Sequence, residues 1–310
     1  MNILATCIVS ELVTGKGSFF KAHKDTPRDD SMFGSLVVIF PTLHEGGELV
    51  FRHGGKEWKI DSAKQLSAQI SPCVFFIAFY SDVEHEVMPV ISGHRVTITY
   101  NLYFAPTGLT TKVDKALRPI VEPHDQAFKA TLAQMLDDPT FMPKGGNLGF
   151  GLSHQYPVNL ASNTLRGLVD CLKGTDAVIR RTCQELSLEA SPRVIYETSR
   201  ALVMVDKIAD LEGGEVSCST ATLHLEFGGK FIEIFEDEEP PSAEPKHPWS
   251  TEYRLYVHEH VSWVRKLTTF NQAVSKYVAY GNEAHMEAVY GDICLIVRVG
   301  PVGERKTVKV

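Results

Sequence analysis

The six cysteines of this 310-residue chain form no C-x-x-C pair and no dense cluster. Neither a zinc ribbon nor a disulfide framework is therefore indicated. Scattered cysteines of this kind are typical of reduced thiols, so we expect an intracellular protein, cytoplasmic or nuclear.

Long apolar runs and basic clusters are also missing. No apolar run approaches the ~20 residues that a membrane-spanning helix needs. The apolar start at residues 1–9 lacks a basic region and meets Glu11 before any convincing cleavage site. The 31 Lys+Arg and 38 Asp+Glu residues give a formal net charge of −7, without the positive surface that follows a phosphate backbone. We expect neither a membrane nor a nucleic-acid partner, and the oligomeric state stays open.

What the chain does have is an ordinary globular composition, with 44% hydrophobic and 22% charged residues, at a length that allows two domains. From residue 17 to about residue 104, strand-like segments alternate with glycine and proline turns, the pattern of a β-sandwich or barrel. A further strand in residues 3–13 brings the count near the eight of a jelly roll. The other predicted strands are 18–22, 35–40, 47–52, 57–60, 73–80 and 95–104.

After residue 106 the pattern changes to a mixed helical and strand region without an assigned role. Helical spacing occurs at 126–136 and 164–186, and Gly174 is predicted to split the second segment, with Thr175 or Asp176 as N-cap. An echo of the Glu-Gly-Gly-Glu segment at 45–48 in residues 212–215 leaves a second, degenerate jelly roll as an alternative. Strands are predicted at 193–196, 201–205, 220–227 and 230–235, and an exposed acidic loop at 236–245.

Two short motifs about sixty residues apart carry candidate metal ligands. His23 and Asp25 lie at alternate positions after a strand-like run, so both side chains would point to one face. His85 follows the next very apolar run, and Arg95 and Thr97 share a face at the start of the strand after it. A buried arginine among Val, Ile and Tyr needs an anion, such as a carboxylate. Two histidines and one carboxylate leave three positions open on iron(II).

The order H-x-D, about sixty residues, H, ten residues, R-x-T resembles the iron(II)- and 2-oxoglutarate-dependent dioxygenases, and more narrowly their prolyl 4-hydroxylase-like branch with its uncharacterised fungal members. The resemblance covers about residues 9–106, and its motifs lie at 17–26, 44–49 and 78–102. It implies an α+β protein in which residues 1–106 form a double-stranded β-helix (jelly roll) and residues 107–310 form the mixed region.

Carried over to this sequence, the resemblance implies that His23, Asp25 and His85 are the iron ligands and the catalytic centre. Arg95 would bind the distal carboxylate of 2-oxoglutarate, with Thr97 assisting. The implied cofactors are Fe(II), 2-oxoglutarate as cosubstrate and O2, with ascorbate as a candidate further requirement.

The implied activity is that of an oxidoreductase, which hydroxylates a C–H bond and releases succinate and CO2. The substrate is expected to be a small molecule, a peptide or a protein. The name of the branch suggests peptidyl proline, but one fold hosts many chemistries. The part ahead of His23 looks shortened relative to the family and lacks a match for its tyrosine, so iron binding is a firmer expectation than turnover. The alternatives are a non-catalytic jelly-roll module that retains the metal triad, and a cupin without 2-oxoglutarate, against which Arg95 argues.

Other histidines are weaker candidates. His94 is expected to face away from the site, and His44 and His53 lie beside glycine turns, where a loop role is favoured. Residues 224–226 with His285 imitate the ligand spacing without the surrounding motif, and residues 258–260 are expected at a solvated strand end. The carboxylates that flank His85 are expected to orient its ring; they are Asp82, Glu84 and Glu86.

Overall fold

The computed structural model describes residues 3–26, 31–71, 73–104, 123–156, 165–199, 201–211, 220–235, 259–280 and 284–305. The chain divides into two compact units, Met1–Arg118 and Pro119–Val310, called here the N-terminal unit and the C-terminal unit. In the described part, strands far outnumber helices, which agrees with a strand-rich, jelly-roll-like protein. No helix among these residues is long and apolar enough to cross a membrane.

The N-terminal unit contains ten described strands and one short helix. They are β1 (Ile3–Thr14), β2 (Phe20–His23), β3 (Met32–Ile39), β4 (His44–Gly46), β5 (Leu49–His53), β6 (Lys56–Ile60), α1 (Ser62–Ser67), β7 (Phe75–Tyr80), β8 (Glu84–Val87), β9 (Val90–Gly93) and β10 (Arg95–Phe104). The first sheet has the order β1-β10-β3-β7, the second sheet has the order β2-β8-β5-β6, and β4 pairs with β9. All seven predicted strands are present. Strands β4, β8 and β9 were not predicted, because three or four residues are too few to show an alternation of apolar and polar side chains.

The core of this unit lies between the two sheets. Ile39 of the first sheet packs with Leu49 and Phe51 of the second, and alternate residues of β7 join this cluster. Phe76, which lies between two of those residues, is largely exposed. This period of two is the property of a strand with one buried face.

Strand β10 carries a polar stripe on its inner face. Arg95, Thr97 and Asn101 are all buried, and residues two apart on a strand share a face. Asn101 pairs in register with Ser35 of β3, which in turn pairs with Phe79 of β7. One row of side chains therefore crosses the first sheet on the side that packs against the second.

The C-terminal unit is one sheet with helices. Its elements are α2 (Pro123–Asp137), β11 (Gly146–Gly151), a 3-10 turn (Arg166–Asp170), α3 (Gly174–Glu185), β12 (Glu189–Glu197), β13 (Ala201–Val205), α4 (Thr220–Leu225), β14 (Lys230–Ile234), β15 (Val261–Arg265), β16 (Gln272–Tyr280) and β17 (Ala284–Val299). The sheet order is β14-β13-β12-β17-β11-β15, and β16 pairs with β17. Val194 and Ile195 belong to different apolar clusters, because successive strand residues face opposite sides of the sheet.

The predicted helices at 126–136 and after Gly174 are confirmed, but the N-cap of α3 is Lys173 rather than Thr175 or Asp176. Asp176 is instead fully buried, and its carboxylate accepts hydrogen bonds from the backbone N–H of Ser153 and the hydroxyl of Tyr156. Arg265 completes this network through an ion pair with the same carboxylate. The network ties the first turn of α3 to a distant loop.

The strand predicted at 220–227 is wrong, because Thr220–Leu225 forms helix α4. The polar and apolar residues of this run alternate, yet Leu223 is fully buried and Leu225 is largely exposed. The alternation therefore did not mark one buried face, and a short run of this kind is ambiguous between helix and strand. The acidic segment at 236–245, the echo at 212–215 and His258 lie outside the described residues.

Candidate metal centre and cosubstrate pocket

Strands β2 and β8 bring the three candidate metal ligands together. His23 and His85 are partners in the β2–β8 ladder, and their ring centroids are 4.3 Å apart. Asp25 follows two residues after β2, and its Oδ1 lies 3.7 Å from His85 Nε2. The ligand atoms of the three side chains all lie within 4.8 Å of one another. This is the donor set and the spacing that an iron(II) triad requires.

Each histidine ring is oriented by a hydrogen bond to the backbone carbonyl of the residue two positions earlier in the chain. Nδ1 of His23 lies 2.8 Å from the carbonyl of Lys21, and Nδ1 of His85 lies 3.0 Å from the carbonyl of Val83. Because each carbonyl accepts a hydrogen bond from Nδ1–H, the lone pair of the neutral ring is on Nε2. Nε2 is therefore the nitrogen of each ring that could bind a metal ion.

The two flanking glutamates do not take the orienting role expected of them. Glu84 and Glu86 form ion pairs with Arg52, because the pleat of β8 directs them away from the face of His85. The carbonyl of Val83 orients the ring instead. Because every residue has a backbone carbonyl, the amino-acid sequence could not predict this contact.

Burial sets the protonation state of His85. The residue is 8% exposed, and desolvation lowers its pKa below the ordinary histidine value, against weaker opposing effects of the Val83 carbonyl and the Asp25 charge. The neutral ring is thereby favoured near pH 7. A histidine must be neutral to bind a metal ion.

Two residues of the first sheet contact members of the triad. The hydroxyl of Ser35 donates a 2.5 Å hydrogen bond to Oδ2 of Asp25. The ring of Phe79 lies 4.5 Å from the ring of His85, centroid to centroid. Since Ser35 and Phe79 are register partners on β3 and β7, adjacent strands hold the carboxylate and one imidazole.

Arg95 is a buried cation whose hydrogen bonds are incomplete. It is 2% exposed, and its Nε and Nη2 have no hydrogen-bond partner among the described residues. Burial lowers its pKa to about 10. A buried guanidinium in this condition is costly unless an anion binds it, and Thr97 offers a hydroxyl on the same face of β10. This pocket fits a carboxylate.

The turn between β4 and β5 shapes the pocket around Arg95. Gly47 has a φ of +69°, and a Cβ at this position would lie 2.9 Å from Cδ of Arg95. Only glycine combines this backbone conformation with such a close approach. The donor set of the triad and the unsatisfied guanidinium together fit Fe(II) and a dicarboxylate.

Residues 8–103 match the family model described as the 2OG-Fe(II) oxygenase superfamily. The match covers 96 of the 310 residues. The resemblance to iron(II)- and 2-oxoglutarate-dependent oxygenases is thereby confirmed for this segment, and the family implies Fe(II), 2-oxoglutarate and O2 as its cofactors. No curated protein matches the sequence.

Two solved structures are similar to this chain over part of their length. One is an oxidoreductase of the 2OG-Fe(II) oxygenase family from Burkholderia pseudomallei, with 20% identity and a TM-score of 0.25. The other is a Pseudomonas putida prolyl-4-hydroxylase, with 21% identity and a TM-score of 0.23. The matches cover 30% and 31% of this chain, and 40% and 51% of those chains. The chain thus spans about half or less of the length of these two structures.

The competing histidines of this oxygenase segment and of the C-terminal unit have structural contacts. His94 is exposed, and Nδ1 of His44 is held by the carbonyl of Thr42. In the C-terminal unit, Nδ1 of His224 lies 2.6 Å from the carbonyl of Gly229. His94 and His224 thus agree with the surface and structural roles expected of them, whereas His44 and His53 lie in strands β4 and β5 and not in loops.

Sequence reasoning missed Ser35, Phe79 and Gly47 as parts of the site. Ser35 begins a predicted strand that is otherwise apolar, and Gly47 belongs to a glycine pair, so each carried a weak signal. Phe79 lies in the motif at 78–102, but its residue type assigned it no role in the site, because an aromatic residue in an apolar strand is expected in any core. Ser35 and Phe79 lie ten and six positions from their partners Asp25 and His85, whereas Gly47 approaches Arg95, which is 48 positions away in the chain.

Proposed function

We propose that residues 1–106 form a double-stranded β-helix dioxygenase domain that uses Fe(II) and 2-oxoglutarate to hydroxylate a C–H bond, with release of succinate and CO2. The observation that carries the proposal is the unsatisfied, buried guanidinium of Arg95 in the same unit as the His23, Asp25 and His85 cluster. A metal-binding module without a cosubstrate would have no use for a buried cation of this kind.

Each residue has a defined role in this proposal. His23, Asp25 and His85 hold the metal ion. Nε and Nη2 of Arg95 donate hydrogen bonds to the distal carboxylate of 2-oxoglutarate, and the hydroxyl of Thr97 donates another. Bound Fe(II) would supply the redox chemistry that couples decarboxylation of 2-oxoglutarate to oxidation of the substrate. The resemblance to the prolyl 4-hydroxylase-like branch suggests peptidyl proline as the first substrate to test.

The proposal includes an intracellular, reducing location. Cys183 and Cys294 are buried free thiols, and burial raises the pKa of both. Buried thiols with a raised pKa stay protonated and react slowly with oxidants, and free thiols are typical of proteins in a reducing compartment. Residues 107–310 are proposed as a separate mixed helical and strand region whose role is unassigned.

The proposal is tested on the full chain loaded with Fe(II) without oxygen. We expect 2-oxoglutarate to bind, as measured by calorimetry, and succinate to form once oxygen is admitted. Asp25→Ala is expected to abolish metal binding. Arg95→Gln is expected to keep metal affinity but to raise the Kd for 2-oxoglutarate about 30-fold, which corresponds to ~2 kcal/mol of lost charge-assisted hydrogen bonding.

Arg52→Gln is the matched control, because Arg52 is an arginine of the same unit whose ion pairs lie on an exposed sheet face. It is expected to leave 2-oxoglutarate affinity unchanged. Protein that binds Fe(II) but neither binds nor consumes 2-oxoglutarate would overturn the dioxygenase proposal and favour the non-catalytic module. Metal-dependent activity that survives in Arg95→Gln would favour a cupin.

A further inference from the structure

The two carboxylate oxygens of Asp25 have different environments. Oδ1 faces Nε2 of His85 at 3.7 Å. Oδ2 accepts a 2.5 Å hydrogen bond from the hydroxyl of Ser35. One oxygen is therefore directed toward the other ligand atoms, and the second is already engaged by the protein.

The hydrogen bond joins a residue outside the strands to a residue within one. Asp25 lies two residues beyond the end of β2, where no strand ladder holds its backbone. Ser35, in contrast, is buried in β3, an inner strand that pairs with both β10 and β7. A hydroxyl on a rigid strand thus fixes a carboxylate on an irregular segment, and hydrogen bonds to a charged acceptor are the strong ones.

We propose that Ser35 is a positioning residue that limits Asp25 to one metal-ligating oxygen. The inference rests on the proposed function of the triad. Two histidines and one carboxylate oxygen occupy three positions and leave three for cosubstrate and dioxygen. If Oδ2 were released, the carboxylate could bind through both oxygens and occupy one of these positions. Ser35 thereby preserves the open side of the metal.

The test uses Co(II) as the metal, because its visible absorption reports coordination number and needs no turnover. In Ser35→Ala we expect Co(II) affinity to fall about tenfold or more, as for other partners that orient metal ligands. We also expect the visible absorption of bound Co(II) to change in position and intensity, since a second carboxylate oxygen would replace a water ligand and distort the coordination geometry. Ser35→Thr retains the hydroxyl and should restore both measurements.

Ser92→Ala is the matched control. Ser92 also donates a hydrogen bond to a carboxylate in this unit, that of Glu45 at 2.9 Å, but neither residue belongs to the triad. Its Co(II) affinity and spectrum should equal those of the unmodified protein. If Ser35→Ala fails to fold by circular dichroism, Ser35→Cys, which fills the same space with a weaker donor, is expected to show the same changes in smaller degree.

The outcomes separate this inference from the proposed function. If Ser35→Ala, or Ser35→Cys in its place, binds Co(II) with the original affinity and spectrum while Asp25→Ala loses the metal, the positioning role is overturned and the triad stands. If the unmodified protein and Asp25→Ala bind Co(II) alike, the triad fails, and the proposed function fails with it.

Discussion

At the scale of single residues, the candidate site depends on burial of groups that prefer water. Arg95 and His85 are both nearly inaccessible to solvent, and burial lowers the pKa of each. For Arg95 the cost is offset when an anion binds, whereas for His85 it is avoided when the ring stays neutral. Both conditions suit a site that binds a metal ion and a carboxylate.

The pKa of His85 predicts a pH dependence of stability in the metal-free protein. Because the folded-state pKa lies below the ordinary value of 6.5, the unfolded chain binds a proton more readily than the folded one. Stability should therefore fall as pH falls from about 6.5 toward the folded-state pKa. We expect the unfolding midpoint in urea to decrease over this window, and to decrease less in His85→Asn.

His94→Asn is the control for this measurement, since His94 is exposed on the neighbouring strand connection. It should keep the original pH dependence. An equal slope in His85→Asn and in the unmodified protein would show that His85 does not carry the effect.

At the scale of elements, the glycine turn between β4 and β5 determines how much space Arg95 has. Gly47→Ala places a methyl group 2.9 Å from Cδ of Arg95, so the guanidinium must move. Gly54→Ala is the matched change, because Gly54 also has positive φ and has nothing within 4 Å of its Cβ position among the described residues. Both variants should lose ~1–2 kcal/mol of stability from backbone strain.

Only Gly47→Ala is expected to weaken 2-oxoglutarate binding, by about tenfold or more, because losing one hydrogen bond to a charged group costs ~1.5–3 kcal/mol. Titration calorimetry of the Fe(II)-loaded variants measures this difference. Equal affinities in the two variants would contradict a role for this turn in the cosubstrate pocket.

At this scale the sequence was a reliable guide to strands with clear alternation and a poor guide elsewhere. The β10 bounds follow from ten residues that are nearly all β-branched, aromatic or otherwise suited to a strand. The bounds of β8 do not, because its four residues include two glutamates. Residues 220–227 were predicted as a strand because their polar and apolar residues alternate, whereas in the structure helix α4 packs against β13.

At the scale of the whole molecule, the two units each have their own buried apolar clusters. The proposed chemistry belongs to the N-terminal unit, whereas the network of Asp176, Arg265 and Tyr156 belongs to the C-terminal unit. Removing one partner of a buried ion pair typically costs ~3–5 kcal/mol. Metal binding should therefore change the stability of the N-terminal unit, and loss of the Asp176 carboxylate should change that of the C-terminal unit.

We expect two transitions in scanning calorimetry of the full chain. Co(II) at a hundredfold excess over its Kd should raise the midpoint temperature of one transition, because binding at this concentration stabilises the folded unit by ~2.7 kcal/mol. Asp176→Ala should lower the midpoint temperature of the other transition and leave Co(II) affinity unchanged. Asp170→Ala, which removes an exposed carboxylate 3.8 Å from Arg180, should shift neither. One transition that responds to both perturbations would contradict independent unfolding of the units.

The sequence by itself named the candidate ligands and Arg95 and Thr97, because its motifs resemble those of a known family and because side chains two apart on a strand share a face. Only the tertiary structure decided which groups support them. The pairing of β2 with β8, the contact of Ser35 with Asp25 and the approach of Gly47 to Arg95 join residues that are 10 to 67 positions apart. Such contacts depend on strand register, which local periodicity does not encode.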